Sequence, residues 1–261
     1  MRRFGLKAQQ LDVIFITHLH GDHYLGLVGL LSSLHLQGRK RDLLLYGPQG
    51  LDEIITLQLK YSDTVFNYNV EFIAVDTTKA QTIYEDDRVS VSSIPLKHRI
   101  PCSGYLFKEQ PHPHRINKAK ISDEMSLQDL ALLKQGRSVE DSEGKVLLEV
   151  EDYTLPPKHS RSYAFCSDTK YDPDLVKIVN KVDLLYHEAT FLDERELTAS
   201  NTYHSTAGQA AQIAKDAGVG RLIIGHFSAR YKDIRPFEKE AKSVFEPTFL
   251  AIEGKSFAIT H

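Results

Sequence analysis

The chain has 261 residues, 41% of them hydrophobic and 26% charged, with 15 glycines and 10 prolines. That is the composition of an ordinary globular protein and excludes collagen-like, coiled-coil and disordered readings. With 32 Lys and Arg against 35 Asp and Glu the formal net charge is −3, so bulk charge does not mark a nucleic-acid binder, and such a partner must be held by local basic patches.

In chain order, residues 11–16 (LDVIFI) read as a buried strand and 25–36 as a helix stopped by Gly38. A strand at 43–46 runs into Gly47 and Pro48, and a helix follows at 51–59. Further strands are predicted at 70–75, 89–94, 104–107, 146–150, 163–166, 184–186 and 222–224. Helices are predicted at 173–179 and 207–217, the second capped by Ser205 or Thr206 and stopped by Gly218. A C-terminal hairpin is centred on Glu253, Gly254 and Lys255. This alternation predicts an α/β architecture. Residues 111–142 break the rhythm, being polar, charged and weakly periodic, and read as an insertion. That insertion is either a solvated connector or a basic arm in which Arg115, Lys118 and Lys120 touch RNA phosphates.

Cys102 and Cys166 show no CxxC spacing, which points to two buried free thiols in a cytoplasmic protein and away from a disulfide framework. The longest apolar stretch, 25–36, is broken by Ser32, Ser33 and His35 and is too short to cross a bilayer. No membrane partner and no secretion are expected.

The strongest local signal is THLHGDH, residues 17–23, directly after the first predicted strand. His18 and His20 are two apart, so in an extended segment they share a face and converge on one ion. Asp22 and His23 follow where the chain turns into a helix and point elsewhere, which implies a second ion. Imidazole with carboxylate fits Zn²⁺, while Mn²⁺ and Fe²⁺ are allowed by ligand type. His98, Asp168 and His226 each lie at or just beyond a predicted strand end, where a metal site on one sheet edge collects ligands.

His18, His20, Asp22 and His23 match the HxHxDH hallmark of the metallo-β-lactamase superfamily, which the sequence therefore resembles. Several further blocks resemble the ribonuclease Z family within it: YGPQG at 46–50, PLKH ending at His98, YAFCSDT containing Asp168, HEATF at 187–191, HSTAGQAA at 204–211 and GHFSARY at 225–231. The resemblance implies a single αβ/βα four-layer sandwich over residues 1–261, with the insert near 111–142. It also implies two zinc ions, one held by His18, His20 and His98 and the other by Asp22, His23 and His226, with Asp168 bridging. Family members carry an N-terminal strand pair and a DCGEG-type stretch before HxHxDH. Here only residues 1–10 precede the first strand, so one sheet is expected to lack its first strands and to expose an edge that favours association.

Two metal ions suit phosphodiester hydrolysis, because together they activate water and stabilise charge on attacking and leaving oxygens. The resemblance makes Asp22 the proton acceptor and assigns Glu188 and His204 to protonation of the departing 3′ oxygen. Arg230 can fork onto phosphate oxygens with Ser228 adding a hydroxyl, and Ser205 and Thr206 at a helix start offer an anion site. Two basic runs, Arg39 to Arg41 and Lys158 to Arg161, are weaker candidates. The implied activity is removal of 3′ trailers from precursor tRNA by a homodimer. The alternative is a related hydrolase of small phosphodiesters, sulfate esters or thioesters. A non-catalytic scaffold with a degenerate site is disfavoured, since no position of the expected metal cage is substituted.

Overall fold

The computed structural model describes residues 2–122 and 125–260; residues 123 and 124 of the predicted insert lie outside the described residues. β1 (Val13–Phe15) leads through an extended segment into α1 (Gly21–Leu36), followed by β2 (Leu43–Gly47), α2 (Leu51–Tyr61) and β3 (Val70–Ala74). These strands form a parallel three-stranded sheet in the order β1-β2-β3. α1 starts four residues before the predicted Leu25. Its first turn, Gly21-Asp22-His23, carries no large apolar residue, so periodicity alone could not register it.

β4 (Thr82–Glu85), β5 (Val89–Pro95) and β6 (Ser103–Glu109) come next, and then an excursion. The excursion holds β7 (Arg115–Ile116), α3 (Leu127–Lys134), β8 (Val139–Glu140), β9 (Val146–Leu148), α4 (Val150–Tyr153) and β10 (Thr154–Leu155). The main body resumes with β11 (Ser162–Cys166), α5 (Leu175–Ile178), β12 (Leu184–Glu188), α6 (Glu196–Asn201), α7 (Ala207–Asp216), β13 (Arg221–Gly225), α8 (Arg235–Val244) and β14 (Thr248–Leu250). The larger sheet has seven strands in the order β14-β13-β12-β11-β6-β5-β4. It is antiparallel from β4 to β11 and parallel from β11 to β14.

Layering follows from which faces are apolar. Leu27, Leu31 and Leu34 of α1 and Ile55 of α2 bury against Leu43 and Leu45 of the smaller sheet. On the other side, Ala210 and Ala214 of α7 and Phe237 of α8 bury against Ala164, Leu185 and Leu222 of the larger sheet. The inner faces meet through aromatic rings: Phe15 stands 5.1 Å from Tyr105 and edge-on to Phe107 at 5.6 Å. The Tyr105 hydroxyl donates to the Ile16 carbonyl at 2.6 Å, tying the two sheets together next to the site. The αβ/βα sandwich expected from the resemblance is therefore present.

Several sequence expectations are corrected. The helix at 173–179 shrinks to one turn, and the strand at 146–150 ends at Leu148 because Val150 opens α4. The C-terminal hairpin does not form. Lys255 N–H closes a turn onto the Ile252 carbonyl at 3.0 Å, but no strand follows among the described residues, and β14 instead pairs parallel to β13. β4 and α8 were not predicted, since β4 is a short bulged edge strand and α8 buries only Phe237 and Ala241 among charged neighbours. The insert is a folded arm, neither a solvated connector nor confined to 111–142. Its neck is the antiparallel pair β7 and β10, and Leu133, Val139 and Val150 form its own small core. Three buried residues are too few to give a periodic signal.

Both cysteines are free and buried, as expected. Among the described residues no helix is long and apolar enough to cross a membrane. Gly104 lies on β6 where an added Cβ would strike the Phe165 carbonyl oxygen of β11, a backbone atom that cannot swing aside. Gly104→Ala is expected to destabilise the fold by about 1–3 kcal/mol, as overpacking does, measured as a lower urea midpoint with an unchanged slope.

Candidate metal centre

The seven expected ligands come from five places in the chain, all at one end of the two sheets. Residues 17–20 continue extended from β1, which puts His18 and His20 on one side, while Asp22 and His23 ride the first turn of α1. His98 follows β5, Asp168 follows β11, and His226 follows β13 in a left-handed conformation with φ 63°. Side chains of His18, His20, His98 and Asp168 place one ligand atom each within 4.8 Å of one another, and Asp22, His23 and His226 do the same. All seven predicted ligands are thus brought together, in the two groups the resemblance implied.

Asp168 joins the groups. Its Oδ2 lies 3.6 Å from His18 Nε2, 3.5 Å from His23 Nε2 and 3.9 Å from His98 Nε2, and its Oδ1 lies 3.4 Å from His226 Nε2. His98 Nε2 and His20 Nδ1 face each other at 3.0 Å. Ligand atoms about 2.1 Å from a tetrahedral ion lie about 3.4 Å from each other, so this spacing is that of a ligand shell. A second observation points the same way: Nε2 of His18 and of His23 are buried with no hydrogen-bond partner. Buried polar atoms are ordinarily satisfied, and these two face the Asp168 carboxylate at the centre of the cluster. The donor set therefore fits metal cations.

The remaining ring nitrogens are held by neighbours that set each tautomer. His98 Nδ1–H donates to the Tyr203 carbonyl at 3.0 Å, and His226 Nδ1–H donates to Thr190 Oγ1 at 2.8 Å. His18 Nδ1 is 3.0 Å from Thr17 Oγ1. Each of these contacts leaves Nε2 facing inward, the arrangement that orients ligating histidines. Burial, followed by repulsion from His23, pulls the His18 pKa down to about 3, so the ring stays neutral and free to donate electrons. Burial likewise lowers His98. For His23 burial is outweighed by the neighbouring Asp168 carboxylate, and its pKa rises. Burial would raise Asp168, but His23, His226 and His18 hold its carboxyl well below the usual range.

Beside the cluster, Glu188 at the end of β12 is fully buried. Its Oε1 lies 2.8 Å from His204 Nδ1 and accepts from Thr169 N–H at 3.1 Å, while its Oε2 accepts from the backbone and hydroxyl of Thr190 at 2.9 and 2.8 Å. Burial lowers the His204 pKa, yet the Glu188 hydrogen bond outweighs it and the net shift is upward. His204 also falls within ligand distance of Asp168 and His226, so the predicted acid pair lies against the ligands. Arg230 and Ser228 sit on the loop after β13, with Arg230 Nη1 donating to Ser228 Oγ at 3.3 Å and its guanidinium 5.8 Å above the Phe191 ring.

Other predicted anion donors are otherwise engaged. Ser205 and Thr206 are fully buried, Ser205 Oγ donating to the Thr169 carbonyl and Thr206 Oγ1 to Asp193. The α7 N-terminus they were expected to open to phosphate instead receives the Glu240 carboxylate, which accepts from Gly208 N–H at 3.3 Å. Arg39 is buried, donating to carbonyls of Gln9, Arg41 and Asp42. Arg161 pairs with Glu109 and His159 with Asp183. Sequence reasoning missed Thr190 and Tyr203, whose position inside HEATF and directly before HST was the only available signal.

Thr190 links the His226 ring to Glu188 through one hydroxyl. Thr190→Val, which keeps the shape and removes that link, is expected to weaken metal binding by about 10–100-fold, the usual cost of losing such a supporting bond, measured by competition with a chromogenic chelator.

A family described as the β-lactamase superfamily domain matches residues 2–116 and 140–227, leaving most of the arm outside the match. Ribonuclease Z from Cytophaga hutchinsonii is 49% identical over 240 residues, covering 92% of this chain and 77% of the relative. Ribonuclease Z from Bacteroides fragilis is 44% identical over 255 residues, covering 97% and 84%. Among solved structures, human tRNase Z, short form, superposes with a TM-score of 0.66 at 27% identity, over all of this chain and 83% of its own. The metallo-β-lactamase fold protein YhfI of Bacillus subtilis, at 19% identity and a TM-score of 0.60, shares the fold. By its sequence, its sandwich and its ligand cluster, the chain belongs to the ribonuclease Z family of the β-lactamase superfamily.

Proposed function

We propose that this protein is a zinc-dependent endoribonuclease that cuts precursor tRNA immediately 3′ of the acceptor stem, leaving a 3′ hydroxyl on the tRNA. The observation that carries the reading is the hydrogen bond of 2.8 Å between His204 Nδ1 and Glu188 Oε1, set directly against the seven-ligand cluster. A hydrolase of phosphodiesters needs both a place for metal ions and a separate proton donor for the leaving oxygen, and the cluster with the His204–Glu188 pair beside it supports that reading. His18, His20 and His98 would hold one Zn²⁺ and Asp22, His23 and His226 the other, with Asp168 shared; Mn²⁺ fits the same ligand types. When bound, the pair supplies an activated water and neutralises charge on the phosphate oxygens.

The chain's own residues do the rest. The Asp22 side chain is mostly exposed, with Oδ2 3.4 Å from His23 Nε2, so it stands at the open side of the cluster and takes the proton of the attacking water. His204, kept protonated by Glu188, gives its Nε2 proton to the departing 3′ oxygen. Arg230 and Ser228 hold non-bridging oxygens of the scissile phosphate. Thr190 and Thr169 keep both Glu188 oxygens occupied and so fix the His204 ring.

The same reading makes residues 1–261 one domain carrying the arm, places the protein in the cytoplasm, in keeping with its two unpaired thiols, and makes it a homodimer. Leu25 and Leu36 stand exposed on α1, apolar surface that a second copy would cover. Light scattering is expected to give a dimer at micromolar concentration, and a stable monomer there would remove this part of the reading.

The decisive experiment is cleavage of a 3′-extended precursor tRNA with added zinc or manganese. The parent chain is expected to cut after the discriminator nucleotide, Asp22→Ala and a chelator to abolish cutting, and His204→Ala to lower kcat by about 10²-fold or more. A higher kcat/KM for bis(p-nitrophenyl) phosphate than for precursor tRNA would instead favour a small-ester hydrolase.

A further inference from the structure

Tyr203 has a backbone conformation its side chain does not favour. It follows α6 and Thr202 with φ 59°, the left-handed position at a helix end that glycine fills most readily. The bond from His204 N–H to the Ala199 carbonyl at 2.8 Å closes the helix end around it. Tyr203 is 39% exposed, so part of its surface is open to solvent, and its hydroxyl has no hydrogen-bond partner among the described residues. Its carbonyl accepts from His98 Nδ1, a task any residue could perform. What glycine would not supply is the ring. The Lys170 ammonium lies 5.7 Å from the ring centroid, which steadies the ring by a cation–π contact and brings a positive charge to the same rim.

From this we infer that Tyr203 is a stacking platform for the base of the nucleotide whose 3′ oxygen departs, with Lys170 beside it for the phosphate on that nucleotide's 5′ side. The inference rests on the proposed tRNA reading and deepens it. His204 gives its proton to the leaving 3′ oxygen, so the nucleoside bearing that oxygen lies against His204, and the neighbouring residue in the chain is Tyr203. An aromatic face accepts any base, which suits an enzyme that must process tRNAs differing at that nucleotide. A left-handed backbone angle on a bulky residue is a cost that calls for a role of the side chain.

The test uses two precursor tRNAs, one intact and one abasic at the nucleotide 5′ of the cut, with the parent chain, Tyr203→Phe, Tyr203→Ala and Tyr203→Gly. On the intact substrate Tyr203→Ala and Tyr203→Gly are expected to lose about 10-fold in kcat/KM, with Tyr203→Phe recovering most of the loss. On the abasic substrate the parent is expected to fall by a similar factor and the Ala and Gly variants to lose nothing further. Tyr203→Gly should also melt at a higher temperature than the parent, since it relieves the left-handed strain while losing the platform. Equal losses by the variants on both substrates would overturn the assignment and leave Tyr203 as a support for His98. A parent chain indifferent to the abasic site would overturn it without any variant. Failure of the parent to cut the intact precursor would sink the tRNA reading itself, a result distinct from either.

Discussion

One buried carboxylate organises this molecule. Asp168 is almost wholly removed from solvent, yet four imidazoles point at its two oxygens. An isolated buried carboxylate is strongly unfavourable, and so is a buried imidazole nitrogen without a partner. Cations seated among these groups would relieve both costs. The sandwich delivers the groups: β1, β5, β11 and β13 end at the same edge, and the contact of Tyr105 with Ile16 keeps the two sheets in register there. Folding energy from two separate apolar layers is thus spent holding like-tending donors in a geometry they would not adopt alone.

Support around that centre is a single connected network. Thr190 Oγ1 accepts from His226 and donates to Glu188, Glu188 grips His204, and Thr169, the residue after Asp168, donates its N–H to Glu188. The orientations of the His226 and His204 rings are therefore coupled. A change at one threonine reaches both, which is why the short HEATF segment combines a carboxylate and a hydroxyl two residues apart.

The sequence disclosed this site unevenly. His18, His20, Asp22 and His23 were legible because a turn from strand to helix packs four ligands into six positions, a density that packing does not explain. His98, Asp168 and His226 stood only as polar residues past strand ends until the family resemblance ordered them. Thr190 and Tyr203 were illegible, since one acts through the tautomer of a neighbour and the other through a backbone angle. The fold showed the same division. Buried parallel strands such as β2 and β12 declared themselves by apolar runs, whereas α8 holds its place with two buried residues and the arm with three. Ser205 and Thr206 misled for a related reason: an N-cap pattern predicts a helix start but does not say whether that start faces solvent.

The arm's core of Leu133, Val139 and Val150 shares no residue with the two cores of the sandwich, and its neck is a pair of two-residue strands. Its cooperative unit is therefore small and separate. Local opening of the arm would expose few apolar groups and would break no contact among the clustered His and Asp side chains at the sheet edge. Substitutions inside the arm's core are therefore expected to cost the arm its order and the sandwich little of its stability.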